Sequence, residues 1–543
     1  MIKKYVSDLK EEFSGYNGKK FAKDLMAGVT VAAVALPLAL AFGVSSGATP
    51  AAGLITAIVS GIVISLLGGA FYQISGPTGA MAAILMSLVA QHGMAGVFTA
   101  TIMAGIILVL AGVFKLGKLT AFIPMPVIAG FTSGIAVIIA LGQLDNFFGV
   151  KSVGDSAIEK LLSYFTKGVF TPDWAAVIIG AAVMVFMFVF PKKWNAVVPA
   201  SLIAIIIATA VVMIGKLDVP SVSSIGAIPS SPILKERFSF SNFEISQVKD
   251  LISPAISIAA LGMVESLLCG ASAGRMTGVH LDNDRELVAQ GIGNILSPLL
   301  GGIPATAAIA RTSVAIKSGA QTRLVGIFHA IILLISMLVL GPVMSNIPLS
   351  ALAGVLIVTA FRMNEWHTIK YMFSHKFKGA ITKFLVTMIA TIVFDLTVAI
   401  LIGVLVALVL LVGRISKLHV KIENVEHERL EGREGIFDPV FENAKVAVLS
   451  GSVIFPNTNQ VEDLAQWFEG ASAAIISMRG VSYMDISGAQ AFAELVEALQ
   501  KKEVKVFFSG VSEDVMKMME RSDIVKTVGA ENFYGRVDQV ILK

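Results

Sequence analysis

From Trp174 to Phe190 the chain reads WAAVIIGAAVMVFMFVF, and from Ala200 to Gly215 it reads ASLIAIIIATAVVMIG. Neither run carries a charge or leaves a polar face. A helix that is apolar all round belongs in lipid or inside a bundle of its own kind. Such runs recur at 21–45, 51–67, 77–91, 94–114, 126–148, 174–190 and 196–214. A second set falls at 251–273, 287–300, 308–316, 324–343, 349–361, 381–394 and 396–415. The expected class is therefore a polytopic α-helical membrane protein with about fourteen spans. A hydrophobic content of 55%, with only 15% charged residues, fits that class and no soluble one.

Charge placement orients the spans. With a cytoplasmic N-terminus, the inner loops hold Lys115 and Lys118, Lys192 and Lys193, Arg275, then Lys317 and Arg323. They end on the cluster Arg362, Lys370, Lys376, Lys378 and Lys383. The short loops on the other side, such as LGPVMSNIP, carry no Lys or Arg, as the positive-inside rule requires. Lysines in the longer outer loops 149–173 and 216–250 are balanced by acids. Both termini are thus expected in the cytoplasm of a multi-pass protein of the cell (inner) membrane. Residues 1–24 are hydrophilic and carry lysines, with no short apolar core or small-residue cleavage site, so the first apolar run is expected to remain in place.

After Ile415 the composition changes. Residues 1–20 are expected to form a cytoplasmic N-terminus, 21–415 the transmembrane domain, 416–443 a charged linker and 444–543 a small cytoplasmic α/β domain. In the last of these, AKVAVLSGSVIF, AAIISMRG and EVKVFFSG read as strands. They alternate with the helical periods QVEDLAQWFEG, SGAQAFAELVEALQKK and SEDVMKMMERSD, which implies a sheet covered by helices.

Two spans are too short. The third begins SGPTGAMAAIL and stops near His92; about fifteen helical residues cover roughly 22 Å, against about 30 Å of hydrocarbon. The tenth begins GGIPATAAIARTSVAIKSG. Dividing the fourteen spans into two sevens makes these the third member of each half. Short, Gly/Pro-interrupted segments in matching positions are the mark of an inverted-repeat transporter whose half-helices meet near the midplane. An odd number of spans per half turns the repeats over, so the half-helices enter from opposite faces. Each helix N-terminus exposes unpaired N–H groups and about half a positive charge, and two such ends together suit an anion. Irregular backbone at 76–79 and 301–308 is then tolerable because it lines a cavity. Arg311, about one turn into the tenth span, adds a formal charge, or else snorkels or pairs structurally with an acid such as Glu265. Glu265, in the eighth span, is the other intramembrane charge of interest. It is a candidate proton or cation coupling site, or a structural anchor. Asp395 lies near a span end and reads as interfacial.

Other chemistries find no support. A single cysteine, Cys269, excludes an internal disulfide framework and a multi-cysteine metal site. A net charge of +4 does not suggest nucleic-acid binding. Metal-ligand spacings, nucleophile elbows and phosphate loops are absent, so neither an enzyme nor a cofactor is expected.

The stretches AGVTVAAVALPLALAFGVSSGATPAAGLITAIVSG, QISGPTGA, RELVAQGIGNILSPLLGGIPATAAIARTSVAIKSGAQTR and FDLTVAILIGVLVAL resemble the sulfate permease (SulP) family of anion transporters. Mammalian prestin and pendrin belong to the same family. MDISGAQAFAELVEAL resembles the domain shared by sulfate transporters and anti-sigma-factor antagonists (STAS). The resemblance implies a seven-plus-seven inverted repeat in which a core moves against a gate in an elevator-like step, with the anion between spans 3 and 10. Carried over by position, Thr78, Gly79 and Ala80 supply amides of one half-helix, Ala310 and Arg311 those of the other. Phe42 is the aromatic that covers the anion. It also implies a homodimer.

Two departures bear on the substrate and the coupling ion. Leu38 stands where many sulfate-type members have Gln after the first-span proline. Glu265 and Cys269 replace an Asp and a Thr that a sodium-coupled bicarbonate member pairs four residues apart, and a thiol is a poor sodium ligand. Proton symport through Glu265 is expected ahead of sodium coupling. Sulfate, bicarbonate and dicarboxylate stay open as substrates, and an uncoupled anion channel or exchanger stays open as a mechanism. Ser487 of DISG matches the serine phosphorylated in anti-sigma-factor antagonists. Asp485 and Ser487 also read as helix-capping residues. The domain is expected to tether the dimer or a cytosolic protein partner rather than perform chemistry.

Overall fold

The computed structural model describes residues 2–118, 123–153, 157–167, 169–191, 194, 198–240, 245–279, 281–394, 396–425 and 438–542. Lys192, Lys193 and Asp395 lie outside them, as does much of the linker. The chain forms two compact units, Met1–Leu405 and Val406–Lys543, the division falling inside the last apolar helix.

Among the described residues the apolar runs fall mainly on helices. In chain order the first unit has α1 (Ile2–Glu12), α2 (Gly18–Ser45), α3 (Pro50–Leu67), strand β1 (Ser75–Gly76), α4 (Gly79–Val113) and α5 (Met125–Gly142). Then come α6 (Trp174–Val189), α7 (Ala200–Gly215), α8 (Ile245–Thr277), α9 (Asn283–Leu299), strand β2 (Thr306–Ala307) and α10 (Ile309–Lys317). The series ends with α11 (Leu324–Met344), α12 (Leu349–Met363), α13 (Lys378–Val393) and α14 (Leu396–Ile415). The third and fourth runs share α4, which breaks at Gly93, whose φ of 64° takes it out of the helical region. Among the described residues seven helices are long and apolar enough to cross a membrane, and α6, α7 and α12 are shorter apolar ones.

Small residues set the packing. A Cβ on Gly53 of α3 would stand 2.1 Å from the Ala39 carbonyl of α2, and one on Gly105 of α4 would stand 2.7 Å from the Gly291 carbonyl of α9. Only a bare backbone allows such approaches, which in lipid take the place of a hydrophobic driving force. The helices α2, α3, α4, α8, α9, α10 and α11 pack on one another, whereas α5, α6, α12 and α13 form a second group. The two groups meet where α4 touches α5 and α2 touches α12, and α7 packs on α6 and α12 of the second group and on α2 of the first.

Each short strand precedes a half-helix. β1 and β2 pair antiparallel, Ser75 opposite Ala307 and Gly76 opposite Thr306. The lead-in to β2 is irregular and buried, and side chains satisfy its backbone. Thr56 of α3 accepts from the Ile303 amide at 2.7 Å and donates to its carbonyl at 3.1 Å. Asn294 of α9 accepts from the Ala305 amide at 2.8 Å and donates to its carbonyl at 2.9 Å. This is the compensation that non-helical backbone at membrane depth demands.

The N-terminal segment is more structured than its polarity suggests. α1 lays Asp8 on Arg285 at 2.6 Å, Glu12 on Arg323 at 2.8 Å and Lys4 on Asp282 at 2.7 Å. Tyr5 donates its hydroxyl to the Leu66 carbonyl at 2.7 Å. Its ring takes the Arg285 and Arg323 guanidinium groups at 5.3 and 5.5 Å from its centroid.

The second unit holds a five-stranded sheet ordered β3 (His419–Asn424), β4 (Lys445–Val453), β5 (Ala473–Met484), β6 (Lys505–Ser509) and β7 (Phe533–Tyr534). β4 to β7 run parallel and β3 joins β4 antiparallel. α15 (Ile486–Lys501) and α16 (Glu513–Arg521) connect the later strands, and the core includes Phe468, Phe492 and Phe508. β3 occupies the start of the expected linker, because Val420 and Ile422 alternate with polar residues and pack against this core.

Candidate functional site

Two helix ends converge through the β1–β2 pair. Thr78 caps α4 in extended conformation, and its Oγ1 accepts from the Met81 amide at 3.4 Å. The first intrahelical bond is that of Ala82 to the Thr78 carbonyl, so the amides of Gly79 and Ala80 have no acceptor within the helix. Ala308 precedes α10 with no side-chain cap, and Thr312 makes the first intrahelical bond there, to the Ala308 carbonyl. The amides of residues 309 to 311 are thus the unpaired ones at that end. Ala80 is fully buried, whereas Ala310 is exposed and Ile309 is 46% exposed, so the two ends differ in access.

Arg311 leaves the first turn of α10 and crosses to the other half. Its Nη2 donates to the Pro77 carbonyl at 2.7 Å, and the residue is 1% exposed. Nη1 has no partner and lies against Gly76, where a Cβ would come within 2.4 Å of it. Glu265 takes its hydrogen bonds from Thr78 and Thr306 rather than from Arg311. A buried guanidinium N–H without a protein partner can donate to a further acceptor.

Glu265 projects from α8 onto both halves. Its Oε2 accepts from Thr78 Oγ1 at 2.9 Å and from Thr306 Oγ1 at 2.6 Å, and the two hydroxyl oxygens are 3.3 Å apart. One carboxylate therefore ties the cap of α4 to strand β2. Ser266, next to it, accepts from the Ala307 amide at 3.3 Å. Cys269, one turn on, is buried and donates to Thr312 Oγ1 at 3.2 Å, and that same oxygen accepts from the Ile74 amide at 3.0 Å. The thiol therefore serves the α8–α10 packing.

Phe42 of α2 reaches the α4 end, since a Cβ on Gly79 would stand 3.1 Å from Phe42 Cε1. The same Cβ would stand 2.3 Å from Ile139 Cδ1 of α5. Phe42, Thr78, Gly79, Arg311 and Glu265 are thus assembled around one pair of helix ends. Thr306 and Ile139 were not singled out in the sequence. Thr306 had a signal, as each lead-in carries one threonine (SGPTGA and GIPATAA); Ile139 had none, being one apolar residue in an apolar helix. Ser487 belongs to the second unit, half-buried in the first turn of α15. The cap there is Asp485, which accepts from the Gly488 amide at 2.8 Å and the Phe455 amide at 2.9 Å.

Comparison with known proteins bears on what such an arrangement serves. The profile of the sulfate permease family matches residues 21–390, and that of the STAS domain matches residues 438–540. YvdB of Bacillus subtilis, named as a candidate sulfate transporter, is 35% identical, the match covering 97% of this chain and 98% of that protein. The bicarbonate transporter BicA of Picosynechococcus is 30% identical over 93% of this chain and 91% of that protein. Among solved structures, the murine Slc26a9 anion transporter in its inward-facing state superposes with a TM-score of 0.82 at 17% identity. That match covers 99% of this chain and 94% of the other, and it shows a shared fold.

Proposed function

The chain belongs to the sulfate permease family, and from that premise we propose that it is a secondary active transporter of small anions. The observation that carries this reading is the joining of two helix N-termini by β1 and β2, with the Arg311 guanidinium bound across them. Two sets of free amides and one fixed cation favour a compact anion and disfavour a cation. Phe42, Thr78, Gly79, Ala80, Ala310 and Arg311 hold it. Sulfate, bicarbonate and a small dicarboxylate all match this chemistry, and the relatives named for sulfate and for bicarbonate support the first two.

Glu265 is the coupling residue, and the proton is the coupling ion. Its carboxylate touches both threonines of the site, so whether it is charged bears directly on an anion a few ångströms away. Sodium is disfavoured by Cys269, whose sulfur is turned to Thr312. The division into two helix groups supports an elevator-like movement, in which the group bearing both half-helices slides against the group containing α5 and α12. The protein works in the cell membrane with both termini in the cytoplasm, as a homodimer, and its STAS domain holds the dimer or a cytosolic partner. Ser487 is the candidate position for phosphate-dependent control of that domain.

The test is uptake into proteoliposomes with an imposed proton gradient, run against a panel of sulfate, bicarbonate and dicarboxylate competitors. Uphill accumulation of one labelled anion, lost on dissipating the gradient, is expected. A large voltage-driven current without accumulation would overturn coupled transport in favour of a channel.

A further inference from the structure

The two helix ends at the site are unequal. At α10 the end is open, with Ala310 exposed and Ile309 46% exposed. At α4 it is walled by carbon, since Ile139 Cδ1 and Phe42 Cε1 occupy the space into which a Gly79 Cβ would project. Phe42 belongs to the same helix group as α4. Ile139 does not. Its helix, α5, is seated on α13, with Gly130 against the Phe384 carbonyl and Gly134 against Thr391. One turn on, Gly142 of α5 meets Met86 of α4. Ile139 is 6% exposed, so its side chain fills this place rather than lining open space.

We infer that Ile139 sets the upper size of the anion accepted at the α4 end, and so acts as a specificity-determining residue contributed by the opposing helix group. The inference rests on the anion-site reading above. An anion drawn to the Gly79 and Ala80 amides must fit beneath a sec-butyl group that a bare glycine allows to lie directly on the helix end. A small planar anion such as bicarbonate, one carbon and three oxygens, needs less height there than a longer dianion such as malonate. Discrimination by a hydrophobic wall is worth about tenfold or more per methylene, enough to rank substrates that the helix dipoles and Arg311 alone would treat alike.

The experiment measures half-inhibition of uptake by bicarbonate, sulfate, oxalate and malonate in proteoliposomes, for the parent and for Ile139→Val, Ile139→Ala and Ile139→Phe. The malonate-to-bicarbonate ratio is expected to shift toward malonate by about tenfold or more in Ile139→Val, which removes one carbon, further in the same direction in Ile139→Ala, and away from malonate in Ile139→Phe. A wall that serves only packing would change the rate for every anion without reordering them, and an unchanged order in both Val and Ala overturns the inference. Should Ile139→Ala not fold, the valine variant, which removes one carbon, decides alone. Arg311→Ala is run alongside. If it keeps saturable uptake, the anion site itself is misplaced; if it loses uptake while the Ile139 variants keep the parental order, only the role of Ile139 falls.

Discussion

Arg311 belongs to the second half of the sequence and Pro77 to the first, and the guanidinium of one donates to the carbonyl of the other at 2.7 Å. The charge is thus fixed across the junction of the two half-helices instead of being spent on Glu265, which takes its hydrogen bonds from Thr78 and Thr306.

Arg311→Ala is expected to abolish saturable anion uptake, because the site loses its formal charge and leaves the Pro77 carbonyl unpaired. Arg311→Lys keeps the charge without the planar fork. The loss of one charged hydrogen bond, about 1.5–3 kcal/mol, lowers affinity by about ten- to a hundredfold. Concentration-dependent uptake in proteoliposomes reads both, and an unchanged half-saturation in the alanine variant would remove Arg311 from the site.

Glu265→Gln retains a hydrogen-bonding oxygen for Thr78 and Thr306 but cannot exchange a proton at transport pH. Proton-driven accumulation is expected to disappear while anion-for-anion exchange continues. Uptake measured against internal and external pH settles the point: a variant with the parental pH dependence would take coupling away from this residue.

The N-terminal helix contains two very different ion pairs. Glu12 and Arg323 are each 2% exposed, whereas Lys4, paired to Asp282, is 64% exposed. Glu12→Ala strands a buried guanidinium and is expected to cost about 3–5 kcal/mol, and Lys4→Ala less than about 1 kcal/mol. Thermal unfolding of the detergent-purified protein compares them, and equal shifts would contradict the difference in burial.

Tyr16 lies between α1 and α2, where burial, and then the hydrogen bond of its hydroxyl to Asp24 at 3.0 Å, push its pKa up to about 12. A phenol held above its unfolded value near 10 adds stability that is complete below that pH and is lost as pH rises toward 12. Alkaline titration of the phenolate absorbance should show a late component that Tyr16→Phe removes. A titration curve identical in the two proteins would argue against this contact.

The broken spans were legible because their signal is covalent and local. Gly76, Pro77 and Thr78 disfavour continuing a helix, as do Gly301, Gly302 and Pro304, so the half-helices begin after them. Asp485 was legible as a cap for the same reason. What escaped was whatever depends on a distant partner. α1 reads as a polar tail until Arg285 and Arg323, nearly three hundred residues on, give its acids something to hold. β3 sits in charged sequence and becomes a strand because β4 offers it an edge. Ile139 is one isoleucine among many; only the missing side chain of Gly79 gives it a distinct task.

The pairing of Ser75 with Ala307 and of Gly76 with Thr306 carries a consequence for substitutions. Each half of the sequence contributes one strand, one helix end and part of the polar inventory, and each leaves the other's backbone partly unanswered. A change in SGPTGA is felt at GGIPATAAIAR, and the reverse. The two stretches complete one another, so a substitution in either is expected to disturb the site that both build.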